Sequence, residues 1–239
     1  MHDLQIGVIG SGGRGGLARY AHRPGNGSRV VACCDVNTDI FERNKEWYGD
    51  DLYLTTDYRE LLQRDLDAVF VTTPDFLHEE HAVAALEAGK AVYLEKPMAI
   101  SIAGCDRILV TARRQAVKLY LGHNMRHFAV ILKMKELIDS GAIGQVKAAW
   151  CRHFVSYGGD AYFKDWHADR LKSTGLLLQK GAHDIDVLHW LCGGYTRQVT
   201  AMGALTLYDQ ITDRHAEDDP GDSSFVRTNW PPLSQTGMN

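Results

Sequence analysis

An apolar run that ends in a cluster of glycines constrains this chain more than any other feature. The run covers residues 4–9, has no polar face and is typical of a central strand in a parallel sheet. Gly10, Gly12 and Gly15 follow it with the G-x-G-x-x-G spacing. Such glycines allow a tight turn, admit a pyrophosphate close to the backbone, and let the next helix pack on the strand. The spacing therefore predicts a dinucleotide-binding turn at a helix N-terminus.

A second apolar run, residues 30–34, supports this prediction. It is followed by Asp35, twenty residues after Gly15, where a dinucleotide-binding domain places the carboxylate that accepts from ribose hydroxyls. The alternative is a glycine turn in an unrelated α/β domain, because a chain with 23 glycines can produce the spacing by chance. Asp35 would repel a 2′-phosphate, so the sequence predicts NAD rather than NADP. Arg14 is the residue that could oppose this preference.

The composition excludes several classes of protein. The 239 residues are 45% hydrophobic and 23% charged, as in ordinary globular proteins, and their formal net charge is −4. Since no basic run appears, neither nucleic acid nor an anionic membrane is an expected partner. The chain has no apolar stretch of membrane-helix length and no room for a signal peptide before Leu4, so a cytoplasmic location is predicted. The five cysteines are expected to be buried and reduced.

Short apolar runs alternate with helical patterns as far as Gly122, which predicts a doubly wound parallel sheet in an α/β domain of residues 1–122. Ligands of such sheets lie beyond the carboxyl ends of the strands. The six predicted strands cover residues 4–9, 30–34, 52–54, 67–72, 91–94 and 117–121.

The pattern changes after Gly122. Helices are predicted at residues 128–138 and 174–191, and strands at residues 145–155 and 196–207. Fewer helices between strands indicate a second, partial α+β domain, residues 123–208, with an open and mainly antiparallel sheet. Residues 209–239 are acidic and proline-rich with few apolar residues, so a largely disordered tail is expected there.

A lysine follows the fifth predicted strand in the tripeptide Glu95-Lys96-Pro97. There it could meet a hydroxyl or carbonyl held against a nicotinamide. A free lysine with a pKa of about 10.4 is a poor base at neutral pH, so partial burial and the positive nicotinamide of NAD⁺ would have to lower that pKa. The alternative is a surface lysine before a turn proline.

A second polar group lies on the last predicted helix. Gln179, His183 and Asp186 stand at i, i+4 and i+7, so they share one helical face and could converge on one substrate. One alternative is a histidine capped by Asp186 in a packed helix. Another is a His/Asp metal site, for which no third ligand at a convincing spacing appears.

These motifs together resemble the Gfo/Idh/MocA oxidoreductases. The resemblance covers residues 4–207 and includes the glycine turn, Thr72-Thr73-Pro74 with His78, Glu95-Lys96-Pro97, and residues 181–186. It implies a Rossmann domain, a C-terminal α/β domain with an open sheet, and hydride transfer between a nicotinamide cofactor and a sugar, inositol or related cyclic polyol. The Glu-Lys-Pro tripeptide is its most specific feature.

The resemblance also implies roles for individual residues. Lys96 would be the catalytic acid/base and His183 its proton-handling partner. Gln179 stands where many members carry an aspartate, and it can bond a hydroxyl but cannot take a proton; Lys180 is a possible substitute. The residues expected at the cofactor are Gly10, Gly12, Gly13, Arg14, Gly15, Asp35, Thr72, Thr73, Pro74, His78, Glu95, Lys96, Pro97 and Asn124, and no metal is expected. Donors and acceptors for a polyol could come from Tyr157, Asp160, Lys164, Trp166, His167 and Gln179.

Two other functions remain open from the sequence. One is a hydrolase that oxidises a sugar transiently with tightly held NAD, and the other is a non-catalytic NAD-binding sensor. Related proteins are longer, so we expect residues 1–239 to bind NAD⁺ with weak or absent turnover and to present an unpaired sheet edge that favours association. A homo-oligomer, dimer or tetramer, is expected if the second sheet is complete.

Overall fold

The computed structural model describes residues 2–155, 159–206 and 208–214. The chain divides into two compact units, Met1–Gly122 and His123–Asn239.

The first unit contains a parallel sheet of six strands, which confirms the predicted Rossmann-like α/β fold. The strands are β1 (Leu4–Ile9), β2 (Ser28–Cys34), β3 (Tyr53–Thr55), β4 (Ala68–Val71), β5 (Ala91–Glu95) and β6 (Leu119–Gly122). Their order in the sheet is β3-β2-β1-β4-β5-β6. The direction of winding therefore reverses between β1 and β4, and ligands of such folds bind at this point.

Alternating side chains of the sheet form two apolar clusters. Ile6 and Val8 of β1 belong to one cluster, and Ile9 belongs to the other. Because successive side chains of a strand point to opposite faces, helices can cover both faces of the sheet. The helices are α1 (Phe41–Tyr48), α2 (Tyr58–Leu62), α3 (His78–Glu87) and α4 (Ile102–Gln115).

Helix ends in the first unit agree with the local sequence. Ser101 caps α4, since its hydroxyl accepts the Gly104 N–H at 3.0 Å. Asp57 caps α2 by accepting the Arg59 N–H at 2.9 Å. A 3₁₀ helix, Arg14–Ala21, follows the glycine turn where the sequence indicated a short helix.

In its described residues, the second unit combines short helices with irregular backbone. Its helices are α5 (Ala129–Asp139), α6 (Gly159–Phe163), α7 (Arg170–Ser173) and α8 (Ala182–Cys192). A π-helical turn, Leu177–Gly181, leads directly into α8. The predicted helix at residues 174–191 is therefore a π turn followed by an α-helix.

The two strands predicted in this unit are not formed by the described residues. Residues 145–155 and 196–206 have irregular backbone that joins no sheet. Trp150, Phe154 and Met202 are 82%, 85% and 99% exposed. A strand exists only when a neighbouring strand takes its N–H and C=O groups, and the described part of this unit supplies no such neighbour. The expected open antiparallel sheet is thus absent from residues 123–155, 159–206 and 208–214.

Residues 209–214 belong to the segment for which the sequence predicts a disordered tail, and all of them except Ile211 are exposed. Tyr208–Gln210 form a 3₁₀ turn, Ile211 is buried, and Asp213 lies 3.0 Å from the Lys164 ammonium. The rest of that predicted tail, residues 215–239, lies outside the described residues.

All five cysteines are free thiols, but burial separates them. Cys33 and Cys34 are buried, as expected, and burial raises the pKa of both thiols. Cys105 is half-buried, whereas Cys151 and Cys192 are exposed. The expectation of burial was wrong for the last two; Cys192 is exposed although Val187 and Leu191 on the same helix are buried.

Candidate active site

The glycine turn has the backbone geometry that its spacing predicts. Gly10 has φ +83°, and a Cβ there would lie 2.8 Å from the Thr73 nitrogen. A Cβ at Gly15 would collide with the Gly10 carbonyl oxygen. Both positions therefore require glycine, because side chains would force the turn away from β4 and the 3₁₀ helix away from β1. Gly13 lies at the exposed tip, with open space where a side chain would project.

Asp35 lies directly against this turn at the end of β2. Its Oδ2 accepts the Gly12 N–H at 2.9 Å, and its Oδ1 accepts the Asn37 N–H at 3.0 Å. A carboxylate has about four lone-pair sites, so acceptor capacity remains for the hydroxyls of a ribose. The structure thus brings together the two motifs that carried the dinucleotide prediction.

The Thr72-Thr73-Pro74 tripeptide follows β4 and joins the same edge of the sheet. The Thr72 hydroxyl donates to the Gly10 carbonyl oxygen at 2.8 Å. A 3₁₀ turn, Asp75–Leu77, then leads into α3. Pro74 precedes that turn with an extended backbone, ψ 149°.

Two histidines in the first turn of α3 contact Thr73 of this tripeptide. His78 is 1% exposed; its Nε2 lies 2.8 Å from the Thr73 carbonyl oxygen and its Nδ1 lies 2.6 Å from the Pro97 carbonyl oxygen. His81 Nδ1 lies 3.1 Å from the Thr73 hydroxyl. The His78 ring therefore supports the two loops from inside the fold.

His81 was missed by the sequence reasoning. Burial lowers the pKa of its imidazole to about 4, so the ring is neutral at physiological pH. Its signal in the sequence is its spacing: a residue at i+3 from His78 on a helix shares the face of His78.

Glu95, at the end of β5, is a buried carboxylate with two partners. It is 3% exposed. Its Oε1 accepts from Arg14 Nε at 2.9 Å and from a terminal nitrogen of the same guanidinium. Its Oε2 accepts the Lys96 N–H at 2.6 Å. Lys96 is half-buried and is joined to Pro97 by a cis peptide bond. The predicted lysine is thus held to the glycine turn through one carboxylate.

In the second unit, Asp186 pairs with residues other than His183. Arg126 Nε lies 2.8 Å from Asp186 Oδ2, and Arg126 Nη2 lies 2.5 Å from Oδ1. His123 Nδ1 lies 3.7 Å from Oδ2, and the His123 ring centroid is 6.5 Å from that of His183. The alternative in which Asp186 caps His183 is therefore not the observed arrangement. Arg126 and His123 were missed because only folding brings residues 60 positions apart together.

Gln179 and Lys180 lie inside the π turn. Gln179 is 5% exposed, and the Lys180 ammonium lies 4.5 Å from the centroid of the Tyr162 ring. The π turn means that the i, i+4, i+7 spacing does not follow one regular α-helix. Such turns occur frequently at functional sites.

The remaining residues that the sequence predicted for the site differ in their burial and contacts. Lys164 is fully buried, 3.7 Å from Asp160 and 3.0 Å from Asp213, so it is an internal ion-pair partner rather than an open donor for a polyol. Trp166 and His167 stack with ring centroids 3.7 Å apart. Asn124 is half-buried in a 3₁₀ turn after β6, and Tyr157 lies outside the described residues.

Within the described ranges, no group of three or more His, Cys, Asp or Glu side chains could hold a metal ion. Nor does any helix in these ranges have the length and apolar character needed to cross a bilayer.

Comparison with known proteins shows the family of this chain. Residues 4–123 match the model described as "Oxidoreductase family, NAD-binding Rossmann fold", and residues 131–225 match the "GFO/IDH/MocA C-terminal domain". The chain belongs to the Gfo/Idh/MocA family of oxidoreductases.

Individual relatives include enzymes of two kinds. An inositol 2-dehydrogenase/D-chiro-inositol 3-dehydrogenase of Shouchella clausii is 33% identical over 83% of this chain and 56% of the relative. A 2,7-anhydro-N-acetylneuraminate hydratase of Mediterraneibacter gnavus is 31% identical over 85% of this chain and 53% of the relative. Apo scyllo-inositol dehydrogenase from Lactobacillus casei, a solved structure, has a TM-score of 0.64 at 26% identity, over 80% of this chain and 55% of that one. The chain spans about half the length of these relatives.

The first unit fits the nicotinamide dinucleotide that this family binds. The glycine turn leaves open space at Gly13, and the Asp35 carboxylate lies beside it. Thr72 follows β4 and Glu95 ends β5, and both strands lie on the other side of β1 from β2, the strand that Asp35 follows.

Proposed function

We propose that this protein is an NAD-dependent dehydrogenase that oxidises a secondary alcohol of a sugar, inositol or related cyclic polyol. One observation carries the proposal: the Glu95 carboxylate joins Lys96, the candidate acid/base, to Arg14 of the dinucleotide-binding turn. A lysine held beside that turn is suitably placed to take a proton from an alcohol whose carbon loses a hydride. The names of the inositol dehydrogenase relatives support a cyclic polyol as the substrate class.

In this proposal, some residues bind the cofactor and others bind the substrate. NAD⁺, when bound, accepts the hydride. The glycine turn binds its phosphates, Asp35 accepts from its ribose hydroxyls, and Thr72, Thr73, Pro74, Glu95 and Pro97 line its nicotinamide side. Lys96 holds and releases the hydroxyl proton. His183 and Gln179 bind substrate hydroxyls, with Gln179 limited to hydrogen bonding.

We propose a preference for NAD⁺ over NADP⁺. Asp35 beside Gly12 would repel a 2′-phosphate, and Arg14, the cation that could offset this repulsion, directs two of its three nitrogens to Glu95. A charge clash or lost hydrogen-bond pair of this kind corresponds to roughly tenfold to a hundredfold in affinity. Fluorescence titration with both cofactors measures it, and tighter binding of NADP⁺ would contradict the assignment.

We also propose a homo-oligomer that associates through the second unit. Its support is the exposure of large apolar side chains there, such as Trp150 and Phe154. Light scattering across a concentration series measures the mass, and a strictly monomeric protein would contradict it.

A screen of inositols and aldoses tests the proposed reaction. The protein is mixed at stoichiometric concentration with NAD⁺ so that even slow turnover is detected, and the absorbance of the reduced nicotinamide is followed. We expect reduced cofactor to accumulate with at least one cyclic polyol. Product formation without net cofactor reduction would instead indicate transient oxidation. This outcome is included because one relative is named a hydratase rather than a dehydrogenase. NAD⁺ binding with no product from any polyol would indicate a sensor.

A further inference from the structure

One ion pair crosses the carboxyl edge of the sheet between strands that are not neighbours. Arg14 follows β1 and Glu95 ends β5, and β4 lies between these two strands. The pair therefore spans the point where the winding of the sheet reverses, and a dinucleotide crosses the edge at this point. It connects the phosphate-binding side of the edge to the side that carries Lys96.

The two partners of this pair differ in exposure. The Glu95 side chain is 4% exposed and the Arg14 side chain is 50% exposed. A buried carboxylate without a cation is costly, so the arginine stabilises Glu95 in its place. Glu95 in turn accepts the main-chain N–H of Lys96 through its second oxygen, at 2.6 Å.

The outer edge of the guanidinium remains available to a ligand. Nε and Nη2 of Arg14 point to Glu95, whereas Nη1 makes no hydrogen bond to any described residue. The neighbouring Gly13 is exposed, and apart from its two chain neighbours no described residue has an atom within 4 Å of a Cβ built there. Because guanidinium has five N–H donors in a fixed plane, one group can bind a phosphate oxygen and Glu95 together.

We propose that Arg14 is a positioning residue that links the phosphates of the bound dinucleotide to Lys96 by way of Glu95. Phosphate binding fixes the guanidinium, the fixed guanidinium orients Glu95, and Glu95 holds the main chain of Lys96. This rests on the proposed function for the catalytic use of Lys96, whereas the link itself concerns nucleotide binding alone.

Nucleotide fragments separate the phosphate contact from the rest of the site. The affinities of wild type and Arg14→Gln are measured calorimetrically for NAD⁺, ADP-ribose and AMP. We expect the variant to bind NAD⁺ and ADP-ribose roughly tenfold more weakly, with AMP within twofold, because only the first two carry a pyrophosphate. Arg114→Gln is the matched control, since Arg114 forms an exposed ion pair with Glu87 between α4 and α3. It should change none of the three affinities.

A conservative variant separates binding from positioning. Arg14→Lys restores a point charge for the phosphate but cannot offer Glu95 the planar pair of donors. We expect Arg14→Lys to recover NAD⁺ affinity to within threefold while turnover stays roughly tenfold below wild type. Recovery of both quantities would show that Arg14 acts only as a charge and would overturn the proposal.

The amide of Lys96 provides a readout that needs no substrate. In protein labelled with ¹⁵N-lysine, the Lys96 signal, assigned with Lys96→Arg, should move in Arg14→Gln and in Glu95→Gln. Saturating ADP-ribose, which carries the pyrophosphate but no nicotinamide, should shift it in wild type and not in Arg14→Gln. Binding losses of the two single variants should be non-additive in the double variant, because each breaks the same link.

Failure of this proposal is distinguishable from failure of the proposed function. If Arg14→Gln leaves NAD⁺ affinity within twofold and the Lys96 amide signal in place, the link is absent whatever the enzyme does. If no polyol is oxidised while the affinities and the amide signal respond as expected, the link stands and the dehydrogenase assignment falls.

Discussion

The two units of this chain differ in how completely their apolar residues find partners. In the first unit, side chains on both faces of the sheet belong to buried apolar clusters, and Ile9, Val69 and Leu94 are at most 2% exposed. In the second, α5 buries none of its residues, although its sequence is markedly apolar. An apolar pattern specifies a face, but only a neighbouring element turns that face into core.

The contacts of the candidate site residues also differ between the two units. In the first unit, the Thr72 hydroxyl donates to the Gly10 carbonyl oxygen. His78 contacts the carbonyl oxygens of Thr73 and Pro97, so the segments that follow β1, β4 and β5 are joined. In the second, His183 lies in α8, directly after a π turn. Asp186, three residues further along α8, forms an ion pair with Arg126 of the 3₁₀ turn that follows β6. We therefore expect mutations in the first unit to affect cofactor and chemistry, and those in the second to affect substrate.

The largest expected effect is that of Lys96→Ala. Turnover should fall by on the order of 10²–10⁴, the range for a general acid/base, with NAD⁺ affinity within a few-fold of wild type. Single-turnover rates and calorimetry measure the two quantities. Lys118→Ala, at an exposed position before β6, is the control and should change neither. Near-normal turnover in Lys96→Ala would remove the chemical role from the first unit.

Changes at His183 should separate substrate from cofactor. His183→Ala should lower kcat/KM by roughly tenfold to a hundredfold, because a hydrogen-bonding group to the substrate is lost, and should leave NAD⁺ affinity unchanged. His189→Ala, further along α8, serves as the control. A His183→Ala protein with weakened NAD⁺ binding and normal kcat/KM would break the division between the units.

Gln179→Asp sharpens the same comparison. If the aspartate raises turnover, Gln179 is a weakened proton relay; if it abolishes turnover, the glutamine is an adaptation to this substrate. We expect NAD⁺ affinity to stay within twofold in either case, because Gln179 belongs to the second unit, and calorimetry would expose any larger change.

His78→Phe should destabilise the first unit by about 2 kcal/mol. The phenyl ring fills the space of the imidazole but leaves the Thr73 and Pro97 carbonyl oxygens without their contacts. Urea unfolding followed by far-UV circular dichroism measures the loss, with His2→Phe at an exposed position as control. An unchanged midpoint would mean that the ring does not support these loops.

The smallest expected effect is a pH dependence from His81. Burial lowers the pKa of its imidazole to about 4, from an ordinary histidine value of 6.5. As pH falls between these values, the unfolded chain binds a proton that the folded chain does not, so the free energy of unfolding decreases; below about 4 the loss stops. Allowing for solvent screening, the total is about 1–2 kcal/mol.

The nearby charges for His81 are Glu80, which raises its pKa, and His78 and Arg59, which lower it. Comparing urea unfolding of wild type and His81→Asn from neutral pH to pH about 4 isolates the contribution. Wild type should lose more stability than the variant over this range. Parallel curves would show that His81 is not the group responsible.

The first unit was largely predictable from sequence because its signals are local. Apolar runs mark strands, and the glycine spacing, Asp35 and the Glu-Lys-Pro tripeptide follow strand ends whose positions the fold fixes. The Arg14–Glu95 pair was not predictable, since it joins side chains 81 positions apart. The His81 contact with Thr73 spans eight positions, and only the i+3 spacing of His81 from His78 pointed to it.

The second unit was less predictable for two physical reasons. The π turn at Leu177–Gly181 is a local change of helical register that an i, i+4 pattern does not reveal. The strands expected at residues 145–155 and 196–207 have the right composition, but pairing partners decide whether such residues form a sheet.

Hydrogen exchange of the whole chain with and without NAD⁺ tests the central claim, that the cofactor site lies in the first unit. We expect NAD⁺ to slow exchange in peptides that cover residues 10–16, 72–78 and 95–97, and to leave α5 unchanged. No slowing in those three segments, or slowing confined to residues after 122, would contradict it.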